Sequence, residues 1–182
     1  RQLGISTLSA GISLWMMLFQ KDKAILVVAT KQDTAKNLVT KVKFMYDNLP
    51  SWLQIGFTEN NKLALRLKNG SQIKAVSAAG DAGRSEAISL LIIDEAAFIE
   101  TNKIDEIWGS SQQTLSTGGK AIVLSTPNGT GNFFHKMWVK AEEGTNGFVP
   151  IKLHWSVHPE RNQAWRDKQD DELGLRMAAQ EC

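Results

Sequence analysis

Two adjacent carboxylates, Asp94 and Glu95, follow four large apolar residues in "LLIIDEAAFIE", 90–100. A buried strand ending there delivers both acids at its carboxyl end, where ligands bind in open α/β sheets. In that position a first acid holds Mg²⁺, directly or through water. A second orients and deprotonates an attacking water, the chemistry of nucleoside triphosphate hydrolysis. The same residues also suit a strand running into a helix capped by Asp94. A second stretch is "RQLGIST", 1–7. Gly4 lets the backbone approach a phosphate closely, and Ser6 falls where a hydroxyl would coordinate Mg²⁺. Lysine would complete a phosphate loop, but the residue there is Ile5. A glycine followed by a serine N-cap is the alternative reading. The third stretch is "VLSTPNGTGNFF", 123–134. Its hydroxyls at Ser125 and Thr126 suit a sensor of the γ-phosphate. Equally, the segment is a strand followed by a Pro-Asn-Gly turn.

Chemistry of this kind needs a scaffold of buried strands, and the sequence supplies one. "AILVVAT" (24–30), "LLIID" (90–94) and "KAIVLSTP" (120–127) are continuous apolar runs, which suit strands covered on both faces. Helices are predicted over 6–19, 34–47, 104–115, 132–142 and, as one helix or two, 161–179. In the first of these, Leu8, Ile12, Trp15 and Phe19 recur at spacings of three and four. "LALRLKNGSQIKAVSA", 63–78, reads as a hairpin around Asn69-Gly70. One face of that hairpin is apolar and the other carries Lys62, Arg66, Lys68 and Lys74. Such a basic face suits solvent or a phosphate backbone. "FVPIKLHW", 148–155, is read as a fourth strand, pushed to an edge by Pro150. Strands alternating with helices predict an α/β fold with a mainly parallel sheet.

Composition bounds the rest. The chain has 182 residues, 42% of them hydrophobic, and a net charge of +2 from 21 basic and 19 acidic side chains. That suits one globular core and neither demands nor excludes nucleic acid. The composition turns polar after about Ser156, which suggests a subdomain boundary there. Cys182 is the single cysteine, so no disulfide forms within the chain. The apolar run 14–19 is too short to span a bilayer. His154 and His158 lack a clear set of metal-ligand partners.

Glycine loop, acidic pair and hydroxyl-tipped strand occur in the order that an additional-strand P-loop ATPase needs. With "STPNGTGNFFHKMW" and the closing "RMAAQEC", they make the sequence resemble the large terminase subunit of tailed bacteriophages. That subunit is the ATPase motor that packages viral DNA. The resemblance spans nearly the whole chain. It implies a three-layer P-loop NTPase fold, with the first strand and adenine-binding segment lying upstream. Residues 1–155 would form the ATPase core. Residues 156–182 would begin a helical linker to a nuclease absent here.

The family's loop reads R-Q-x-G-K-[ST]. Arg1, Gln2, Gly4 and Ser6 match it, and Ile5 departs at the lysine. The resemblance implies a nucleotide site of Arg1, Gln2, Gly4, Ile5, Ser6 and Thr7, with Arg1 contacting phosphates. It also implies Mg²⁺ on Ser6 and Asp94, Glu95 as catalytic base, and coupling through Ser125, Thr126 and Asn128. Arg84 resembles a finger donated to the neighbouring subunit's nucleotide, and also reads as a solvated loop arginine. ATP and Mg²⁺ are the implied ligands. The implied partners are double-stranded DNA, a homo-oligomeric ring, a portal protein and a small terminase subunit, in the cytoplasm of an infected bacterium and with no membrane. Alternatives are a helicase-type ATPase, or a nucleotide-binding module that lost hydrolysis with its lysine.

Overall fold

In a computed structural model, residues 3–78, 87–115 and 118–181 are described. They divide into two compact units, one of Ile5–Ser125 and one of Thr126 onward together with the residues up to Gly4. The compositional change near Ser156 falls inside the second unit.

The first unit is built on one six-stranded sheet in the order β2-β3-β4-β1-β5-β6. The strands are β1 (Ala24–Ala29), β2 (Phe57–Asn60), β3 (Ala64–Leu67), β4 (Gln72–Ser77), β5 (Leu90–Ile93) and β6 (Lys120–Val123). β4, β1, β5 and β6 run parallel, while β2 and β3 are antiparallel additions. The predicted parallel α/β sheet is therefore present. β2 was not foreseen, because "FTEN" is short, polar and largely exposed.

Helix α1 (Ile5–Phe19) leads into β1, while α2 (Gln32–Asp47) and α3 (Thr101–Leu115) lie between β1 and β2 and between β5 and β6. Ala10, Leu14 and Met17 of α1 share one core with Leu38, Val39 and Val42 of α2 and with Ile25, Val27, Ile73, Leu90 and Ile92 of the sheet. The alternate residues Leu26, Val28, Leu91 and Ile93 are buried too. β1 and β5 are thus covered on both faces, as their uninterrupted apolar runs predicted.

The spacing of Leu8, Ile12, Trp15 and Phe19 marks the helix, but that stripe does not face the core; Trp15 and Phe19 are 55% and 61% exposed. α1 instead buries Ser9, Ala10, Ser13, Leu14, Met16 and Met17. Small residues let helices approach closely, and the Ser13 hydroxyl is satisfied by donating to the Ser9 carbonyl. β6 is apolar but only half-buried, because it lies at the end of the sheet. Finally, 148–155 forms no strand. Pro150 has no N–H to give a ladder.

In the second unit, α4 (Phe133–Glu142) starts at Asn132, whose side chain accepts from the His135 N–H at 2.9 Å. α5 (Gln163–Glu181) is broken at Gly174, with φ 75° and ψ 151°, so it consists of two helical pieces, one of the two forms expected. Arg166 ties the pieces together, pairing with Asp170 at 2.7 Å and donating to the Ala178 carbonyl at 3.1 Å.

The Asn69-Gly70 turn does more than reverse the hairpin. The Asn69 amide donates to the carbonyls of Met17 and Gln20, at 2.8 and 3.2 Å. Ser71 donates from its hydroxyl to the Gln20 carbonyl and accepts from the Lys23 N–H. The turn thereby fixes the connection between α1 and β1. Gly70 has φ +86°, and a Cβ there would run into the Asp22 carboxylate. Gly70→Ala is expected to cost about 1–3 kcal/mol of stability, read as a lowered midpoint in urea unfolding. A midpoint equal to wild type would show that the turn does not brace the fold.

Candidate functional site

The carboxyl ends of β1, β5 and β6 and the amino end of α1 bring Ser6, Asp94, Glu95 and Ser125 together. β5 ends at Ile93, and the chain turns at once through Asp94 and Glu95 into a short 3₁₀ segment, Ala96–Phe98. Glu95 adopts the left-handed conformation, φ 54° and ψ 38°. A residue with a side chain rarely does so without compensation, and such strain persists only where the surroundings over-determine it.

Here they do. The Asp94 N–H donates to the Val28 carbonyl of β1 at 2.8 Å, and the Ala96 N–H donates to Leu124, just past β6, at 3.0 Å. The Ala97 N–H donates to the Ser125 hydroxyl at 3.1 Å. Closing the turn on itself, the Glu95 N–H donates to Asp94 Oδ1 at 2.9 Å. The acidic turn is therefore pinned to the strands on both sides.

Glu95 is itself held. The Thr30 hydroxyl, just past β1, donates to Glu95 Oε2 at 3.0 Å. Sequence reading missed Thr30, although it closes "AILVVAT" at the same edge. The signal was a lone hydroxyl after a buried strand, the feature that singled out Ser125.

Ser6, in the first turn of α1, lies beside the Asp94 side chain, and its hydroxyl favours the ionised carboxylate. The two residues expected to share a cation therefore meet. Burial pushes the Asp94 carboxyl above the usual carboxylate range, and the neighbouring Glu95 charge adds to this. The Glu95 N–H, the Lys41 charge and the Ser6 hydroxyl pull the other way without cancelling it. The Ser6 hydroxyl and the Asp94 carboxyl are hard oxygen donors that suit a small divalent cation, and such an ion would favour the ionised carboxylate. Among the described residues no group of three or more His, Cys, Asp or Glu gathers as a metal site. A cation here would rely on Asp94, Ser6, water and its own phosphate ligands, the habit of Mg²⁺.

Gly4 enters α1 with φ +77°. Ile5 opens the helix half-buried, and Thr7 is exposed. Ser125 caps the acidic turn as described. In the second unit, Asn128 accepts from the Gln180 amide at 3.5 Å, and its carbonyl accepts from Asn132. Arg1, Gln2 and Arg84 lie outside the described residues. No described helix is long and apolar enough to cross a membrane.

Known proteins share this architecture. The ATPase domain of the Thermus phage P74-26 large terminase aligns over 100% of this chain and 83% of its own, at 22% identity and a TM-score of 0.73. The HK97 bacteriophage large terminase aligns over 99% of this chain but 37% of its own, at 21% identity and a TM-score of 0.70. The large terminase of another thermophilic bacteriophage gives a TM-score of 0.66 at 9% identity, over 90% of this chain and 40% of its own. These likenesses establish the P-loop NTPase fold. Residues 1–177 match the family model described as terminase large subunit, T4likevirus-type, N-terminal. A match over nearly the whole chain, on a sheet whose carboxyl edge gathers Ser6, Asp94 and Glu95, places the chain in the terminase large subunit family, as its N-terminal domain.

Proposed function

We propose that the chain is an ATP-hydrolysing motor unit that drives double-stranded viral DNA into a procapsid. The meeting of the Ser6 hydroxyl with the Asp94 carboxyl supports this most directly. It sets a helix amino end, the natural seat of a phosphate, against an acid at the end of a buried strand.

Ser6 and Asp94 would hold Mg²⁺ with the nucleotide's phosphates. When bound, the ion offsets phosphate charge and polarises the γ-phosphoryl group. Glu95 accepts the proton of the attacking water, and Thr30 orients it through Oε2. Gly4 and the backbone N–H groups at the start of α1 cradle the phosphates, flanked by Gln2 and Thr7. Ile5 cannot neutralise charge, so Arg1 supplies it, with a fork that binds phosphate oxygens bidentately. Ser125 touches the acidic turn through Ala97 and begins the coupling segment, with Thr126 and Asn128. Arg84 acts across a ring interface on the neighbouring subunit's nucleotide. Residues 1–155 serve as the motor core and 156–182 as the start of a linker. The portal protein and the small terminase subunit are the partners, in the cytoplasm of an infected bacterium.

Ile5 favours one second reading, a module that binds nucleotide without hydrolysing it. Measured ATP turnover separates the two. Arg1→Ala should abolish hydrolysis while Ile5→Ala is tolerated; normal turnover in Arg1→Ala would remove Arg1 from the site.

Glu95→Gln should keep nucleotide binding and lose on the order of 10²–10⁴-fold in turnover. Thr30→Val should lower turnover with little change in KM. Subunits carrying Arg84→Ala, mixed with Glu95→Gln subunits, should recover activity that neither has alone. Unchanged steady-state hydrolysis in Glu95→Gln would exclude it as the base.

Asp94 also makes stability depend on pH. Folding raises its pKa, so the folded chain keeps the proton over a range where the unfolded chain has lost it. Stability falls as pH rises through that range. In chelator-treated buffer, Asp94→Asn should therefore melt higher than wild type at pH 7, and the gap should close in acid. A variant that melts lower than wild type at pH 7 would contradict the sign. The same variant should lose Mg²⁺-nucleotide binding by calorimetry.

A further inference from the structure

β3 and β4 present two unlike faces. Leu65, Leu67, Ile73 and Ala75 point into the core, none more than 3% exposed. Arg66 and Lys74 alternate with them and are exposed on the opposite face. In the antiparallel register Ala64 lies opposite Lys74 and Arg66 opposite Gln72. Lys68 continues the parity of Ala64 and Arg66 one step past β3, with its aliphatic stem against Gly56.

Among the described residues no carboxylate is paired with these cations, and it is their clustering on one strand face that sets them apart from other exposed lysines. Lys43, Lys103 and Lys168 each have a carboxylate three or four residues away. Among the described residues no such pair involves Arg66, Lys68 or Lys74. Glu59 is in register with Arg66, yet its carboxylate accepts from the Asn61 amide instead. The three charges share one face with no carboxylate paired to them among the described residues, so an outside anion would stabilise the cluster. Alternate residues along a strand stand roughly 6.5–7 Å apart and cross-strand neighbours about 5 Å. The cations therefore form a row rather than a pocket. Beside them Ala64 and Gln72 offer no aromatic or large apolar anchor of the kind that dominates protein interfaces.

We infer that the outer face of β3 and β4, through Arg66, Lys68 and Lys74, contacts the phosphate backbone of double-stranded DNA. The inference rests on the motor reading above and adds to it the surface that touches the polymer. A flat row of cations that meets the duplex at its phosphates binds any sequence, as a translocated duplex requires.

Binding of a fluorescent duplex of about 30 base pairs, followed by anisotropy at rising salt, tests it. Each phosphate contact contributes about 0.9 to the slope of log affinity against log salt. Arg66→Gln, Lys68→Gln and Lys74→Gln together should flatten the slope by about 2.7. They should also remove about 40-fold of the affinity change between 50 and 200 mM salt. Arg66→Lys should keep the wild-type slope, and so should Lys103→Gln, whose charge is already paired. An unaltered melting temperature in the triple variant confirms that folding is intact. Wild-type affinity and slope in the triple variant would overturn this surface and leave the motor reading standing. No duplex binding by the wild type at 50 mM salt would overturn both. A glutamate-rich peptide that binds the wild type but not the triple variant, with duplex binding equal in the two, would overturn it in favour of an acidic protein partner.

Discussion

Everything at the carboxyl edge of the sheet depends on the strained turn at Asp94-Glu95. Glu95 sits in a backbone region that costs on the order of 1–3 kcal/mol. Hydrogen bonds from Asp94 to β1, and from Ala96 and Ala97 to the residues just past β6, hold it there. The strain has a geometric result. It breaks the alternation of the strand, so two consecutive carboxylates reach different partners. Asp94 meets Ser6 at the amino end of α1, and Glu95 meets Thr30 at the end of β1. Relaxed extended backbone would have sent the two side chains to opposite faces.

That turn is only as rigid as the sheet beneath it. Leu91, Ile92 and Ile93 are fully buried and leave β5 no freedom to slip in register. The amino end of α1 must also stay in place, and its restraint lies at the helix's far end. There Asn69 and Ser71 hold the carbonyls of Met17 and Gln20. A hairpin turn thus helps to aim a helix that carries Ser6, through hydrogen bonds to the main chain alone. The small buried face of α1 contributes in the same direction, since Ser9, Ala10 and Ser13 admit close packing that larger residues would block.

Charge is distributed unevenly over this frame. The acidic turn is partly desolvated, with one carboxyl resisting ionisation. The outer face of β3 and β4 carries exposed cations with no carboxylate paired to them among the described residues. Both conditions are electrostatically incomplete in the isolated chain, and each points to a ligand of opposite sign. A net charge of +2 conceals this separation entirely.

The sequence by itself determined the parallel sheet, because β1 and β5 need apolar residues at every position to be covered on both faces. It also determined the Asn69-Gly70 turn and the acidic pair, whose residue types are dictated by local backbone and chemistry. "RQLGIST" and "STPNG" carried the family through local pattern alone. Tertiary structure decided which face of α1 is buried. Periodicity marks an amphipathic helix, but closeness of packing chose the small residues over Leu8, Ile12, Trp15 and Phe19. It also decided that 148–155 pairs with no strand, since pairing requires a neighbour that no local signal supplies. Thr30 became visible only in space. A single hydroxyl has no spacing to recognise, and its role comes from the carboxylate that the fold sets 3.0 Å away.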